Sequence, residues 1–112
     1  MNVKELIKAL DIYPDDEPVY IRDLEHPDSA LLNAYRINTI GAVILSNDGS
    51  KVYTVNDLRG FAEFLHKDAR VFVETEHGIF PAKQVQPYDA EEERNEHWAL
   101  AVECDSLDYE ED

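Results

Sequence analysis

The chain has a single cysteine, Cys104, so it forms no intrachain disulfide and suits a reducing compartment. Positive charge is scarce as well: 10 Lys and Arg stand against 25 Asp and Glu, a net charge of −15. That balance argues against direct binding to DNA, RNA or an anionic membrane, all of which need a positive surface. Long apolar runs are missing. The longest, Ile40 to Ser46, falls far short of the ~20 residues of a membrane span. The opening MNVKELIKAL sets Glu5 beside Lys4 and has no apolar h-region, so no secretory signal is expected and the expected location is cytoplasmic. The glycines form no phosphate loop, and CxxC, HExxH and GxSxG are absent.

What is present suffices for a fold. At 112 residues and 44% hydrophobic, the chain fits one domain, 1–112, with an acidic tail at 105–112. Its charge is lopsided. Residues 89–112 carry 11 acids and one base, Arg94, in two blocks, Asp89 to Glu96 and Glu103 to Asp112. Between them Trp98 to Val102 has the aromatic anchor and alternation of a strand.

Val3, Leu6, Ile7 and Leu10 recur with helical spacing, Asn2 and Glu5 make a capping box, and Pro14 ends the segment. Pro18 to Ile21 reads as a strand, while 24–34 could be a helical turn or a loop. Tyr35, Ile37 and Thr39 alternate as a half-buried strand, Gly41 bends it, and Ala42 to Leu45 continue in apolar fashion. Asn47, Asp48, Gly49 and Ser50 signal a turn, and a hairpin from Leu45 to Val52 is expected. Val55, Leu58, Phe61, Ala62 and Leu65 form the stripe of a second helix, capped by Thr54 with Asp57. Arg70 to Thr75 and Ile79 to Val85 read as strands around a turn at His77 and Gly78, with Pro81 marking an edge or a bulge.

The first helix and strand, shifted by 52 residues, fall on the second pair. Asn2 lands on Thr54, Val3 on Val55, Glu5 on Asp57, Leu6 on Leu58, Val19 on Val71 and Ile21 on Val73. After a deletion, Tyr35, Ile37 and Ile40 fall on Phe80, Ala82 and Val85; after an insertion, Ala42 to Leu45 fall on Ala99 to Val102. Identity in the first stretch is confined to Val3, Leu6, Asp16 and Val19, so two independent, similar units stand open beside duplication. The expected class is α+β: two amphipathic helices on antiparallel sheet, as a pseudo-twofold pair of αβββ units, 2–53 and 54–104.

Chemistry-bearing constellations are thin. His26, His66, His77 and His97 include no two at metal-ligand spacing, so no metal or other cofactor is expected. Glu76–His77 and Asp23–His26 could be drawn as acid–base pairs, but turn residues of a small domain seldom sit in a pocket that shifts pKa values. Acids beside Cys104 disfavour its thiolate. Asp11, Asp15, Asp16 and Glu17 lack the spacing of a calcium loop and suit a polar turn. An enzyme is not expected.

Val3, Glu5, Leu6, Ile7, Leu10, Tyr13, Pro14, Asp16, Val19 and Ile21 spell V-x-E-L-I-x-x-L, then Y-P-x-D, then V-x-I. This opening resembles that of small, uncharacterised phage- and prophage-encoded proteins of bacteria. It covers less than a fifth of the chain and transfers no catalytic residue. The resemblance implies a small protein of phage origin in the bacterial cytoplasm, a setting in which acidic proteins can inhibit nucleases by presenting carboxylates in place of phosphates. A linear tail would do this poorly. Extended at ~3.3 Å per residue, 89–112 would carry one charge per ~8 Å, against one per ~1.7 Å of duplex DNA. A folded acidic face would do better. Its candidates are Glu74, Glu76, Asp89, Glu91, Glu92, Glu93, Glu96, Glu103, Asp105 and Asp108. The expected function is therefore a non-enzymatic interaction protein that docks this face on a basic, nucleic-acid-binding bacterial protein such as a defence nuclease. The alternatives are a phage accessory protein that self-associates through sheet edges, as a homodimer for example, and a small enzyme or ligand binder. A solvating tail is the plain explanation of the same acids.

Overall fold

Each helix begins with a reciprocal cap. The computed structural model describes residues 1–88 and 99–105. In it, helix α1 (Val3–Leu10) has Asn2 Oδ1 accepting from the Glu5 N–H (2.9 Å), while Glu5 Oε1 accepts from the Asn2 N–H (2.9 Å). Helix α2 (Val55–Ala62) repeats the arrangement with Thr54 and Asp57. Such a cap contributes about 1 kcal/mol and fixes where the helix starts. Helical spacing buries Val3, Leu6 and Leu10 on one helix and Val55, Leu58 and Ala62 on the other. Among the described residues no helix is long and apolar enough to cross a membrane.

The strands are β1 (Val19–Asp23), β2 (His26–Leu31), β3 (Ala34–Ile37), β4 (Val43–Ser46), β5 (Val71–Thr75), β6 (Gly78–Tyr88) and β7 (Ala99–Cys104). They form one sheet in the order β2-β1-β7-β6-β5-β4-β3. The fold is α+β as expected, but the sheet is mixed rather than antiparallel. β1 runs parallel to β7 and β4 parallel to β5, because each strand that follows a helix takes its parallel neighbour from the other half of the chain. The outermost strands, β2 and β3, are joined by Leu32 and Asn33 alone. Leu31 and Ala34 therefore lie at most about 11 Å apart, and the sheet must curl back on itself. Opposite this join β6 changes partner, leaving β5 after Pro81 and taking up β7 from Ala82, with a bulge before Gln84.

Other expectations need correction. Residues 26–31, ambiguous in the sequence, are a strand. No hairpin follows Leu45; 47–53 lead into α2 instead. The turn residues there bind elsewhere: Asn47 Nδ2 donates to the Leu31 carbonyl (2.5 Å) and the Gly49 N–H to Asn33 Oδ1 (2.9 Å). A Cβ on Gly49 would lie 2.3 Å from the Asn33 carbonyl oxygen, so only glycine fits.

Backbone bonds recur between halves at the 52-residue offset. Val3 N–H donates to Ala69 C=O (2.9 Å) and Val55 N–H to Glu17 C=O (2.9 Å). Lys4 N–H reaches Lys67 C=O (3.0 Å) as Asn56 N–H reaches Asp15 C=O (2.9 Å). Parallel registers agree too: Val19 faces Leu100 and Val71 faces Val43. The third strand departs from the expected alignment. Tyr35 faces Leu45 as Val85 faces Val102, so Tyr35 corresponds to Val85 and not to Phe80. The first half also carries four named strands, not three, since its middle strand is interrupted at Leu32–Asn33.

The core is one cluster shared by both helices and the inner face of the curled sheet. Leu6, Leu10, Leu32, Leu45, Leu58 and Leu100 are among its fully buried members.

Candidate functional site: an acidic cleft at the strand ends

β1, β4 and β5 all end at one concavity of about 450 Å³. β1 supplies Ile21 and Asp23 to its wall, β4 and the turn after it supply Ser46, Asn47 and Asp48, and β5 with its turn supplies Glu74, Thr75, Glu76 and His77. Parallel pairing of β4 with β5 is what sets 46–48 beside 74–77, although the two stretches are far apart in sequence.

Four carboxylates therefore share one opening. Asp23 lies on the inward-facing side of β1 and is buried; its Oδ1 accepts from the Glu25 N–H (3.0 Å). Asp48 Oδ1 accepts from the Ser46 hydroxyl (2.9 Å). Glu74 Oε1 accepts from Arg36 Nη1 (2.7 Å), a bond that raises the arginine pKa still further. Arg36 and Glu74 are both partly in water, so their pair contributes little to stability. Glu76 is exposed on the turn, where Thr75 Oγ1 accepts from the His77 N–H (3.1 Å). Such an opening favours a cationic group over an anionic one. Among the described residues no three His, Cys, Asp or Glu side chains converge as metal ligands.

The ten sequence-derived candidates separate into three sets. Glu74 and Glu76 lie on the cleft. Glu103 does not belong to an open acidic face: it is 1% exposed, with Arg22 donating to its Oε2 and Gln84 Nε2 to its Oε1 (2.8 Å). Alternation explains this. Leu100, Val102 and Cys104 face the core, so Glu103 points to the other side of β7, between Arg22 on β1 and Gln84 on β6. Asp105 is also largely shielded, with Lys83 Nζ at 3.7 Å. Asp89, Glu91, Glu92, Glu93, Glu96 and Asp108 lie outside the described residues. Asp23 and Asp48 were not among the acidic-face candidates: in sequence Asp23 stood out only beside His26, and Asp48 only as a turn residue.

No protein-family model matches the chain, and no curated protein or solved structure matches it significantly. The cleft must be interpreted from its own chemistry.

Cys104 sits just inside this end of the sheet, opposite Asp23 in the parallel register. Burial pushes its thiol up to about 12, with Asp23, Asp105 and Glu103 adding in the same direction. The native thiol should resist a disulfide reagent at pH 8 and react once denaturant opens the fold. The sign of the linkage also follows. Above about 9 the unfolded thiol ionises and the folded one does not, so stability should fall between pH 9 and 12. Replacing Cys104 by alanine should remove that part of the alkaline slope; an unchanged slope would show that other groups set it.

Proposed function

We propose that this protein is a non-enzymatic acidic interaction module that docks carboxylates on a basic surface of a bacterial, nucleic-acid-binding protein such as a defence nuclease. Phage origin and action in the host cytoplasm belong to the same proposal and rest on the opening helix–turn–strand segment. The observation that carries it is the convergence of Asp23, Asp48, Glu74 and Glu76 from separate chain segments on one opening. A bound guanidinium or ammonium would find several acceptors there, and the net charge of −15 would steer a basic partner toward it. Glu91, Glu92 and Glu93 add charge from sequence alone. The proposal also takes the chain as a pseudo-twofold pair of units, 2–53 and 54–104, supported by the recurring registers. Self-association through sheet edges has less support, since the outermost strands are joined end to end by two residues.

The test is capture from bacterial lysate at low and high salt, followed by kinetics on the captured protein. Screening shortens the Debye length from ~10 Å at 0.1 M to ~3 Å at 1 M, so capture should fail at the higher salt. Glu74→Gln with Glu76→Gln should slow association about tenfold and change dissociation less. Replacing Glu91, Glu92 and Glu93 by Gln should act in the same direction. Binding that ignores salt, or survives both sets of changes, would leave the acids as solvation only.

A further inference from the structure

Neither half of the chain completes its own sheet. In the first half β1 takes its parallel partner from β7, and β4 takes its from β5; both partners belong to the second half. The helices are interlocked in the same way. Residues 3 and 4 donate to carbonyls before β5, and residues 55 and 56 donate to carbonyls before β1. Two further bonds close the arrangement: Val71 N–H donates to Met1 C=O (3.0 Å) and Val19 N–H to Tyr53 C=O (3.2 Å). The paired surfaces are apolar, with Val19, Ile21, Val43 and Leu45 on one side meeting Leu100, Val102, Val71 and Val73 on the other.

A single chain segment, 47–52, connects the halves, and its turn residues Asn47 and Gly49 strap it to the first half. Asn47 holds the Leu31 carbonyl, and Gly49 packs on Asn33 with no room for a side chain. Released from those contacts, the segment becomes a hinge. We infer that the surface each half offers the other is a docking surface for a second copy of this chain, and that two copies exchange halves through 47–52. Each second half then closes on the partner's first half with the bonds described above, so the exchange costs little beyond the hinge turn and the entropy of association. Dilution favours the single chain, because the tethered half is always near. Concentrated refolding favours exchange.

The experiment refolds the whole protein at millimolar and at micromolar concentration and separates the products by size. A dimer should appear at high concentration, increase with salt as like charge is screened, and show the same amide-exchange protection in β1, β4, β5 and β7 as the monomer. Gly49→Ala, which forces the turn off Asn33, should raise the dimer fraction roughly threefold or more. Tyr20→Cys with Ala101→Cys in a Cys104→Ala background places a crosslink across the β1–β7 register. In an exchanged dimer that disulfide joins two chains and survives denaturation as a covalent dimer. Monomer at every concentration, or a dimer whose crosslink stays within one chain, overturns the inference. If the crosslinking variant does not fold, the unmodified dimer still decides: new protection on outer surfaces would mean ordinary face-to-face association. The partner docking proposed above weakens with salt, so the two ideas fail separately.

Discussion

Arg22→Leu should destabilise the protein by about 3 kcal/mol or more, because it leaves the Glu103 carboxylate buried without its cation. Glu103 is 1% exposed, and Gln84 also donates to it. The expected remedy is counterintuitive. Adding Glu103→Leu to Arg22→Leu should recover most of the loss, since a buried ion pair replaced by apolar groups of similar size is often neutral. Chemical denaturation of the single and double variants measures both effects, and the cycle between them isolates the coupling. If the single variant loses less than about 1 kcal/mol, water reaches Glu103 in solution and the pair is a surface contact.

Leu58→Ala should cost about 2–5 kcal/mol as a core cavity. Leu58 is fully buried on α2 and sits at the center of the apolar stripe that seats the helix. Leu6 occupies the corresponding place on α1 and is buried to the same degree. Leu6→Ala should therefore fall in the same range. A loss below about 1 kcal/mol at either site would mean that its helix is not packed as described.

Local features were legible because they depend on neighbours in sequence. The caps at Asn2 and Thr54 require only a residue three positions on, and both formed. Core positions were legible for a related reason: period fixes face. Leu6, Leu10 and Leu58, placed by helical spacing, and Val19, Ile21, Leu45, Val71, Val73, Leu100 and Val102, placed within the expected strands, are buried. Strand partners were not legible, since nothing local tells β1 to pair with β7 rather than with another strand. The expected hairpin after Leu45 failed for the same cause. Asn47, Asp48, Gly49 and Ser50 carry turn chemistry, but Asn33 and Leu31, brought close by the sheet, decide where that turn leads. The cleft inherits this difficulty. Glu74 and Glu76 stood out as acids near a turn, whereas Asp23 and Asp48 join them only through tertiary pairing. Glu103 shows the opposite error, because a run of acids in sequence conceals one that alternation turns to the other face of its strand.

The parallel pairing of β1 with β7 also has a consequence for biosynthesis. Val19 meets Leu100, so β1 waits for a strand made about eighty residues later. At ~5–20 residues per second, the ribosome delays that contact by several seconds, and β1 spends the interval without its neighbour. Folding of this sheet on the ribosome should thus be abrupt, with little protease resistance until β7 has cleared the exit tunnel. Chains that terminate before β7 should be degraded quickly, since β1 then never gains its parallel neighbour.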